Sequence, residues 1–422
     1  MIKQNIIWIM IIINTIVGFL IQPSMNIFEI KEFQDEMTSI VEENKQDETD
    51  LKIKNLINNM TIEEKIGQMI MVSFYEHQIH EFISNKRIGG FILFSNNVHA
   101  PMQTRELTGK IDEITKIYLD VPPFIAIDQE GGKVSRIDSI FPSFENNRVL
   151  GNIDDSELSK EQGLLIGEAL SYLGVNLNFA PVVDVNTNEN NPVIGVRAFG
   201  ENAEIVSKMA NAFVNGQRKN LVISCIKHFP GHGNVMKDSH FELPTNYRDI
   251  SEVREIDISP FKYLINESDI GMIMTAHVKV PSMDTEQPAT LSRKILTGEL
   301  RDRLGFEGVI ITDDIGSMEA ITSLMKTEEA AVKAIEAGVD IVLLVTTLEQ
   351  VEKTIEYILY SIKNGVITEE RIDESLYRIL RLKYRYGFFS EKEVTITHRY
   401  EELYKRIKEH AENVRKRASE LN

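Results

Sequence analysis

Residues 308–314 read GVIITDD, an apolar, β-branched run with no internal alternation that closes on two aspartates. A strand with one solvated face alternates polar and apolar residues. A continuous run implies burial on both faces, as in a parallel sheet. Further runs share this form: GGFILFS (89–95), PPFIAIDQE (122–130), VNLNFAPVVDV (175–185), LVISCIKH (221–228), IGMIMTAH (270–277) and GVDIVLLV (338–345). Between them, amphipathic stretches predict helices over 203–219, 251–266, 318–337, 348–364 and 368–386. Seven or eight β–α units in about 330 residues predict a TIM-type (β/α)8 barrel rather than an open doubly wound sheet. No G-x-G-x-x-G follows the first run, which weighs against dinucleotide binding.

The ends of these runs carry the chemistry. They terminate in Asp128-Gln129-Glu130, Asp184, Lys227-His228, Thr275 with His277, and Asp313-Asp314. One aspartate after a strand often caps the next helix. Repetition at several strand ends points instead to a shared site, because a parallel barrel presents all its C-terminal strand ends on one face.

The remaining composition sets limits. The net charge of −18 argues against a nucleic-acid partner, whose phosphates call for a basic surface. Cys225 is the sole cysteine, so the chain has no internal disulfide and no cysteine cage for a metal. The N-terminus, MIKQNIIWIMIIINTIVGFLIQ, holds one lysine and then an apolar run from Ile6 to Ile21. At about 16 residues this run is short of a comfortable bilayer span of roughly 20. It reads as a secretory signal segment, and with no A-x-A cleavage site after it an uncleaved signal-anchor is favoured over a cleaved peptide. The expected layout is therefore a signal-anchor or signal peptide (1–28), an acidic stalk (29–54), a catalytic barrel (55–390) and a helical tail (391–422). The barrel should open at MTIEEKIGQM, where Thr61 and Glu64 have capping-box spacing. Such a chain is expected outside the cytoplasm, attached to the membrane by its N-terminal segment or secreted.

The stretch KHFPGHGNVMKDSH (227–240) concentrates histidines. His228 and His232 are four apart, a metal-ligand spacing on a helix, but Pro230, Gly231 and Gly233 break the helix that would align them. A metal site of His228, His232 and His240 remains one reading. Acid/base chemistry fits better: Asp238 and His240, two apart on a loop, allow the carboxylate to hold one imidazole nitrogen while the other passes a proton.

This stretch resembles the K-H-F-P-G-H-G-x4-D-S-H signature of NagZ-type β-N-acetylglucosaminidases in glycoside hydrolase family 3. IDQEGGKVSRI (127–137), NPVIGVRAFG (191–200) and LRDRLGFEGVIITDDIGSMEA (300–320) resemble further segments of that family, in the family's order. The resemblance implies a retaining exo-β-N-acetylglucosaminidase, or β-N-acetylhexosaminidase, acting on cell-wall or chitin-type saccharides, without cofactor. It implies Asp313 as nucleophile and His240 as acid/base with Asp238 as partner. Asp128, Arg197, Lys227 and His228 would bind the terminal sugar. Asp314 is expected to be structural and His232 to shape the loop. Glycines 231 and 233 are expected to let that loop move. A related β-glycosidase or phosphorylase of other sugar specificity is the alternative, since a neutral histidine leaves room for a phosphate acceptor. The tail's Lys405, Arg406, Lys408, Arg415, Lys416 and Arg417 are expected on a solvated helix face.

Overall fold

The computed structural model describes residues 47–390 and 400–421. The expected signal-anchor and most of the acidic stalk lie outside the described residues, and so does the start of the tail. The chain divides into two compact units, Met1–Asn55 and Leu56–Asn422. Residues 47–55 of the first are helical; the second holds the barrel. Among the described residues no helix is long and apolar enough to cross a membrane.

The barrel is entered through a helix at Ile62–Gln68. Its capping box forms as the sequence predicts: the Glu64 amide donates to Thr61 Oγ1 (3.3 Å) and the Thr61 amide to Glu64 Oε2 (2.9 Å). Eight strands follow: β1 Ile70–Ser73, β2 Gly90–Leu93, β3 Phe124–Ile127, β4 Leu177–Asn178, β5 Ile223–Phe229, β6 Met272–Thr275, β7 Val309–Ile311 and β8 Val342–Leu344. They pair in parallel in the order β7-β6-β5-β4-β3-β2-β1-β8. The two ends of this sheet meet through a parallel bridge between Ile311 and Ile341. There the Thr312 amide donates to the Ile341 carbonyl (3.0 Å) and the Ile341 amide to the Ile310 carbonyl (3.1 Å). The TIM-type (β/α)8 expectation holds. Nearly every strand residue is buried, because helices cover the outer face and packed side chains fill the interior.

One strand escapes sequence reading. β1 begins one residue after the entry helix, with Met69 alone between them. Its residues IMVS simply extend the helix's apolar pattern, and the nearby Gly67 lies inside the helix rather than at the change of period. Two predicted helices are also broken. The span 318–337 divides into Glu319–Thr322 and Thr327–Ala337, because Lys326 takes an extended backbone. The span 251–266 passes through a wide π turn at Val253–Asp257 before Ser259–Glu267, whose first turn contains Pro260. Proline is tolerated there because first-turn amides lack helical partners anyway.

The tail helix, Tyr400–Ser419, docks on the barrel rather than standing free. Leu403, Ile407, His410, Ala411 and Val414 form its buried stripe, at spacings of three and four. Arg406 forks onto Glu168, Arg415 Nε lies 2.6 Å from Glu145, and an Arg417 nitrogen lies 3.3 Å from Asp155. The expected solvated face is thus corrected for the half-buried Arg406, while Arg415 and Arg417, though ion-paired, are exposed as expected, as are Lys405, Lys408 and Lys416.

The helices Ser156–Tyr172 and Ala203–Gln217 touch backbone to backbone through glycines. A methyl group at Gly216 would lie 1.9 Å from the Lys160 carbonyl oxygen, and one at Gly163 would lie 2.1 Å from that of Phe213. Neither neighbour is a flexible side chain, so the helices would have to separate. Gly216→Ala is therefore expected to lower stability by about 1–3 kcal/mol despite alanine's better helix propensity. Denaturant unfolding measures this, and a stabilised Gly216→Ala protein would contradict the close-packing argument.

Candidate active site

The C-terminal ends of the strands enclose a pocket of about 270 Å3. At its floor Lys227, in the last part of β5, is buried beneath two carboxylates. Its Nζ donates to Asp128 Oδ1 (2.6 Å) and lies 2.7 Å from Glu130 Oε1. Asp128 and Glu130 follow β3 two residues apart, so an extended chain sends both side chains to one side. Arg197, on the loop after β4, grips Glu130 with two parallel bonds, Nε to Oε2 at 2.9 Å and a terminal nitrogen to Oε1 at 2.8 Å. Burial alone would raise the Glu130 carboxyl. The adjacent Arg197 and Lys227 charges outweigh it and hold that carboxyl far below the usual range. Lys227 is likewise raised, its desolvation overcome by Asp128 and Glu130.

β5 changes register against β6 between Ile226 and Phe229, around Lys227 and His228. Such irregularities beside an active site re-aim side chains. Here they deliver both residues to the pocket. His228 Nδ1 lies 2.7 Å from Asp184 Oδ2, while Asp184 Oδ1 accepts the backbone amides of His228 (3.3 Å) and His232 (2.7 Å). Burial would raise Asp184; the histidines and the His232 amide hold it below the usual carboxylate value.

The two aspartates after β7 separate by environment. Asp313 opens onto the pocket. Burial pushes its carboxyl up, but the fields of His228, His277 and Lys227 and the Asp314 amide, 2.8 Å away, hold it below the normal aspartate value. Asp314 turns back into the protein and accepts from the amides of Gly316 (2.7 Å), Val345 (2.8 Å) and Ser317 (3.0 Å). It braces the turn, and burial raises its pKa. His277 stands behind this pair. Burial lowers its pKa; its Nε2 donates to the Asp314 carbonyl (3.0 Å), and its Nδ1 lies 2.7 Å from Thr290 Oγ1, whose own hydrogen goes to the Ala276 carbonyl (2.9 Å).

His240 reaches the pocket from the loop after β5. Its Nδ1 lies 2.8 Å from Asp238 Oδ1, which also accepts the His240 amide (2.9 Å). The pairing fixes the ring and leaves Nε2 clear of the carboxylate, the arrangement that a proton-transferring histidine needs. Asp238 is below its ordinary value: partial burial raises it, and the His240 amide and ring outweigh that.

The structure therefore brings six of the sequence-predicted residues to one pocket, namely Asp128, Arg197, Lys227, His228, His240 and Asp313, with Asp238 behind His240. The metal reading of His228, His232 and His240 finds no matching geometry. The His228 ring is engaged by Asp184, the His232 ring by Ser239 (3.0 Å) and the His240 ring by Asp238. Among the described residues no group of three or more metal-ligating side chains gathers. Glycines 231 and 233 also receive a different reason from the hinge expected of them. A Cβ on Gly233 would lie 2.0 Å from the Val185 carbonyl oxygen, and Gly231, at φ +133°, lies flat against Asp257. Both allow close packing at the base of the loop.

Sequence reasoning passed over three contributors. Glu130 and Asp184 were visible as strand-end acids, and the two-residue spacing from Asp128 was the available signal for Glu130. Arg136 was not singled out. It lines the pocket, lies over the Phe94 ring with 5.7 Å from guanidinium carbon to centroid, and buries an Nε that has no hydrogen-bond partner. An unpaired buried donor at a pocket wall is a place for a ligand oxygen.

Residues 61–382 match the model of the glycosyl hydrolase family 3 N-terminal domain. The chain belongs to glycosyl hydrolase family 3. Among family 3 relatives, beta-hexosaminidase A of Pseudoalteromonas piscicida is 36% identical over 328 residues, which are 72% of this chain and 55% of that protein. The chain thus spans little more than half the length of that relative. A beta-hexosaminidase of Methylobacillus flagellatus is 34% identical over 287 residues, covering 67% of this chain and 80% of that one. A solved family 3 beta-N-acetylglucosaminidase from Paenibacillus sp. superposes with a TM-score of 0.77 at 36% identity, over 83% of this chain and 69% of that chain.

Glu130 is expected to be the most sensitive member of the polar floor. Glu130→Ala leaves the Lys227 and Arg197 charges short of a buried counterion and should cost about 3–5 kcal/mol in denaturant unfolding. Glu130→Gln, which keeps shape and one acceptor, should cost less. Equal stability of Glu130→Ala and the parent protein would show that the network is not held by charge.

Proposed function

We propose that this protein is a retaining exo-β-N-acetylglucosaminidase that removes terminal N-acetylglucosamine from cell-wall or chitin-type saccharides. The observation that carries the proposal is the convergence of Asp313 and the Asp238–His240 pair on one pocket rimmed by sugar-binding polar groups. A volume of about 270 Å3 is just under the roughly 300–1,000 Å3 of pockets for drug-sized ligands, which suits a single sugar unit and hence exo action. The names of the related hexosaminidases and of the Paenibacillus acetylglucosaminidase support the choice of sugar.

In the proposed mechanism Asp313 attacks the anomeric carbon while His240 protonates the leaving oxygen, through an oxocarbenium-like transition state. Water, deprotonated by the same histidine, then releases the sugar with net retention. Asp128, Arg197, Lys227, His228 and Arg136 supply directional, charge-assisted hydrogen bonds to hydroxyl groups. The environment of Asp313 favours its ionised, nucleophilic form. The proposed site of action is outside the cytoplasm, in wall turnover, with the membrane reached through residues 1–28, which lie outside the described residues.

Release of nitrophenol should be far faster from the β-N-acetylglucosaminide than from the β-glucoside, and inorganic phosphate should leave the product as free sugar. A preference for the glucoside, or a sugar phosphate product, would turn the assignment to the alternative specificity. A 5-fluoro glycosyl fluoride should label Asp313; a label elsewhere removes it as nucleophile. Because the Asp313 carboxyl lies below the ordinary aspartate value of about 3.9, the nucleophile should stay ionised until the pH falls below about 4.

A further inference from the structure

We propose that His232 and Ser239 form a clasp that sets the position of His240 for proton transfer, making both of them positioning residues for the acid/base step. The proposal rests on the acid/base reading of His240 given above and extends it to the part of the loop that carries the ring.

The loop between β5 and residue 248 is fastened at its two ends. At the start, Gly231 and Gly233 pack flush on Asp257 and the Val185 carbonyl. At the far end, Asn246 Nδ2 donates to Asp257 (2.8 Å), the Asn246 amide donates to the Lys279 carbonyl (2.8 Å), and Asn234 bonds Asn246 Oδ1 (3.2 Å). Between these ends the chain lies mostly in solvent. Met236 is 78% and Phe241 70% exposed, and Lys237, His240 and Glu242 are exposed as well. Val235 and Ser239 dip into the protein, at 1% and 2% exposure, and Pro244 is buried beside the far anchor. Ser239 is thus the one buried residue next to the catalytic ring.

Its contacts hold the backbone on either side of the Ser239–His240 peptide. The Ser239 hydroxyl lies 3.0 Å from His232 Nε2. The Ser239 carbonyl accepts from the Ala320 amide (3.3 Å), and the His240 carbonyl from the Glu319 amide (3.1 Å). Both amides open the short turn that follows Asp313 and Asp314, so the acid/base loop is tied to the segment that presents the nucleophile. Asp238 fixes the rotation and tautomer of the His240 ring. The clasp fixes where that ring stands.

His232 is suited to be the stationary half. Its backbone amide is bound by Asp184, whose other oxygen holds His228 in the sugar pocket. Its ring is buried, and burial lowers its pKa to about 4, which keeps it neutral near neutral pH. Its Nδ1 has no hydrogen-bond partner, so Ser239 is the ring's one polar engagement. Leaving a buried ring nitrogen unpaired is costly, and an apolar side chain would fill the same volume without that cost. What the imidazole supplies in return is the bond to Ser239.

The test separates proton donation from the rest of catalysis through the leaving group. A natural disaccharide needs acid assistance, and a dinitrophenyl glycoside does not. Ser239→Ala and His232→Phe should lower kcat/KM for N,N′-diacetylchitobiose about 10- to 100-fold, the size of a misplaced general acid, with less than about threefold loss for the dinitrophenyl N-acetylglucosaminide. With the latter substrate kcat and KM should fall together, since hydrolysis of the glycosyl-enzyme still needs the displaced base, and azide should restore kcat. Ser239→Thr and His232→Gln, which keep a hydrogen-bonding group, should recover most of the loss. Equal losses on both substrates in the alanine and threonine variants would reduce the clasp to ordinary loop packing and overturn the proposal. His240→Ala serves as the reference. If it spares the dinitrophenyl substrate and Ser239→Ala spares both, the clasp alone is wrong. If His240→Ala depresses both substrates equally, the acid/base assignment itself falls.

Discussion

The ammonium of Lys227 is the constraint around which the catalytic face is built. A buried cation is stable only when opposite charge and hydrogen bonds replace its lost hydration. Here Asp128 and Glu130 supply them, at 2.6 and 2.7 Å, from the end of the neighbouring-but-one strand β3. Two carboxylates against one lysine would themselves be overcharged, and Arg197 restores the balance by gripping Glu130. The arginine is in turn held because its loop is tied down: Asn147 donates to the Arg197 carbonyl (2.8 Å), and Asn191 accepts the amides of Val193 (2.9 Å) and Ile194 (2.8 Å) while donating to the His232 carbonyl (2.8 Å). Segments far apart in sequence are therefore locked in register by charge compensation. A sugar hydroxyl entering the pocket meets donors and acceptors already oriented, with little reorganisation left to perform.

The same logic divides labour between neighbouring acids. Asp313 and Asp314 differ by one position at the end of β7, yet their surroundings shift them in opposite directions. Their contacts are the cause: Asp313 faces the pocket's positive groups, while Asp314 accepts backbone amides in the protein. Paired acids driven apart by environment are a familiar basis for assigning distinct roles.

Much of this was legible from sequence because the physics is local. Uninterrupted apolar runs such as GVIITDD announced strands buried on both faces, and their polar ends announced the face that binds. Asp238 and His240 were readable as a pair because two residues of loop are enough to bring them together. The illegible parts depend on tertiary contact. β1 has no boundary signal, since Met69 alone divides it from a helix of the same apolar character. The close approaches at Gly233 and Gly231 cannot be told from hinges without seeing Val185 and Asp257. Arg406 looks like part of a solvated face until Glu168, more than two hundred residues earlier, is placed opposite it. The burial of Ser239 between two exposed, charged stretches has no sequence signal at all.

The two groups assigned to the chemistry differ in how they are held, and the difference follows from their tasks. Asp313 stands at a strand end, braced by its own neighbour's amide and by buried histidines, which suits a nucleophile that must meet one carbon along one line. His240 stands on a loop with its side chain 59% exposed, and an acid/base group has to meet leaving groups of different shape. A rigid support there would restrict the leaving group, and an unsupported one would lose the proton-transfer distance. A loop pinned at both ends and clasped at Ser239 lies between these extremes. It returns the ring to one place after each turnover without building that place into the barrel wall.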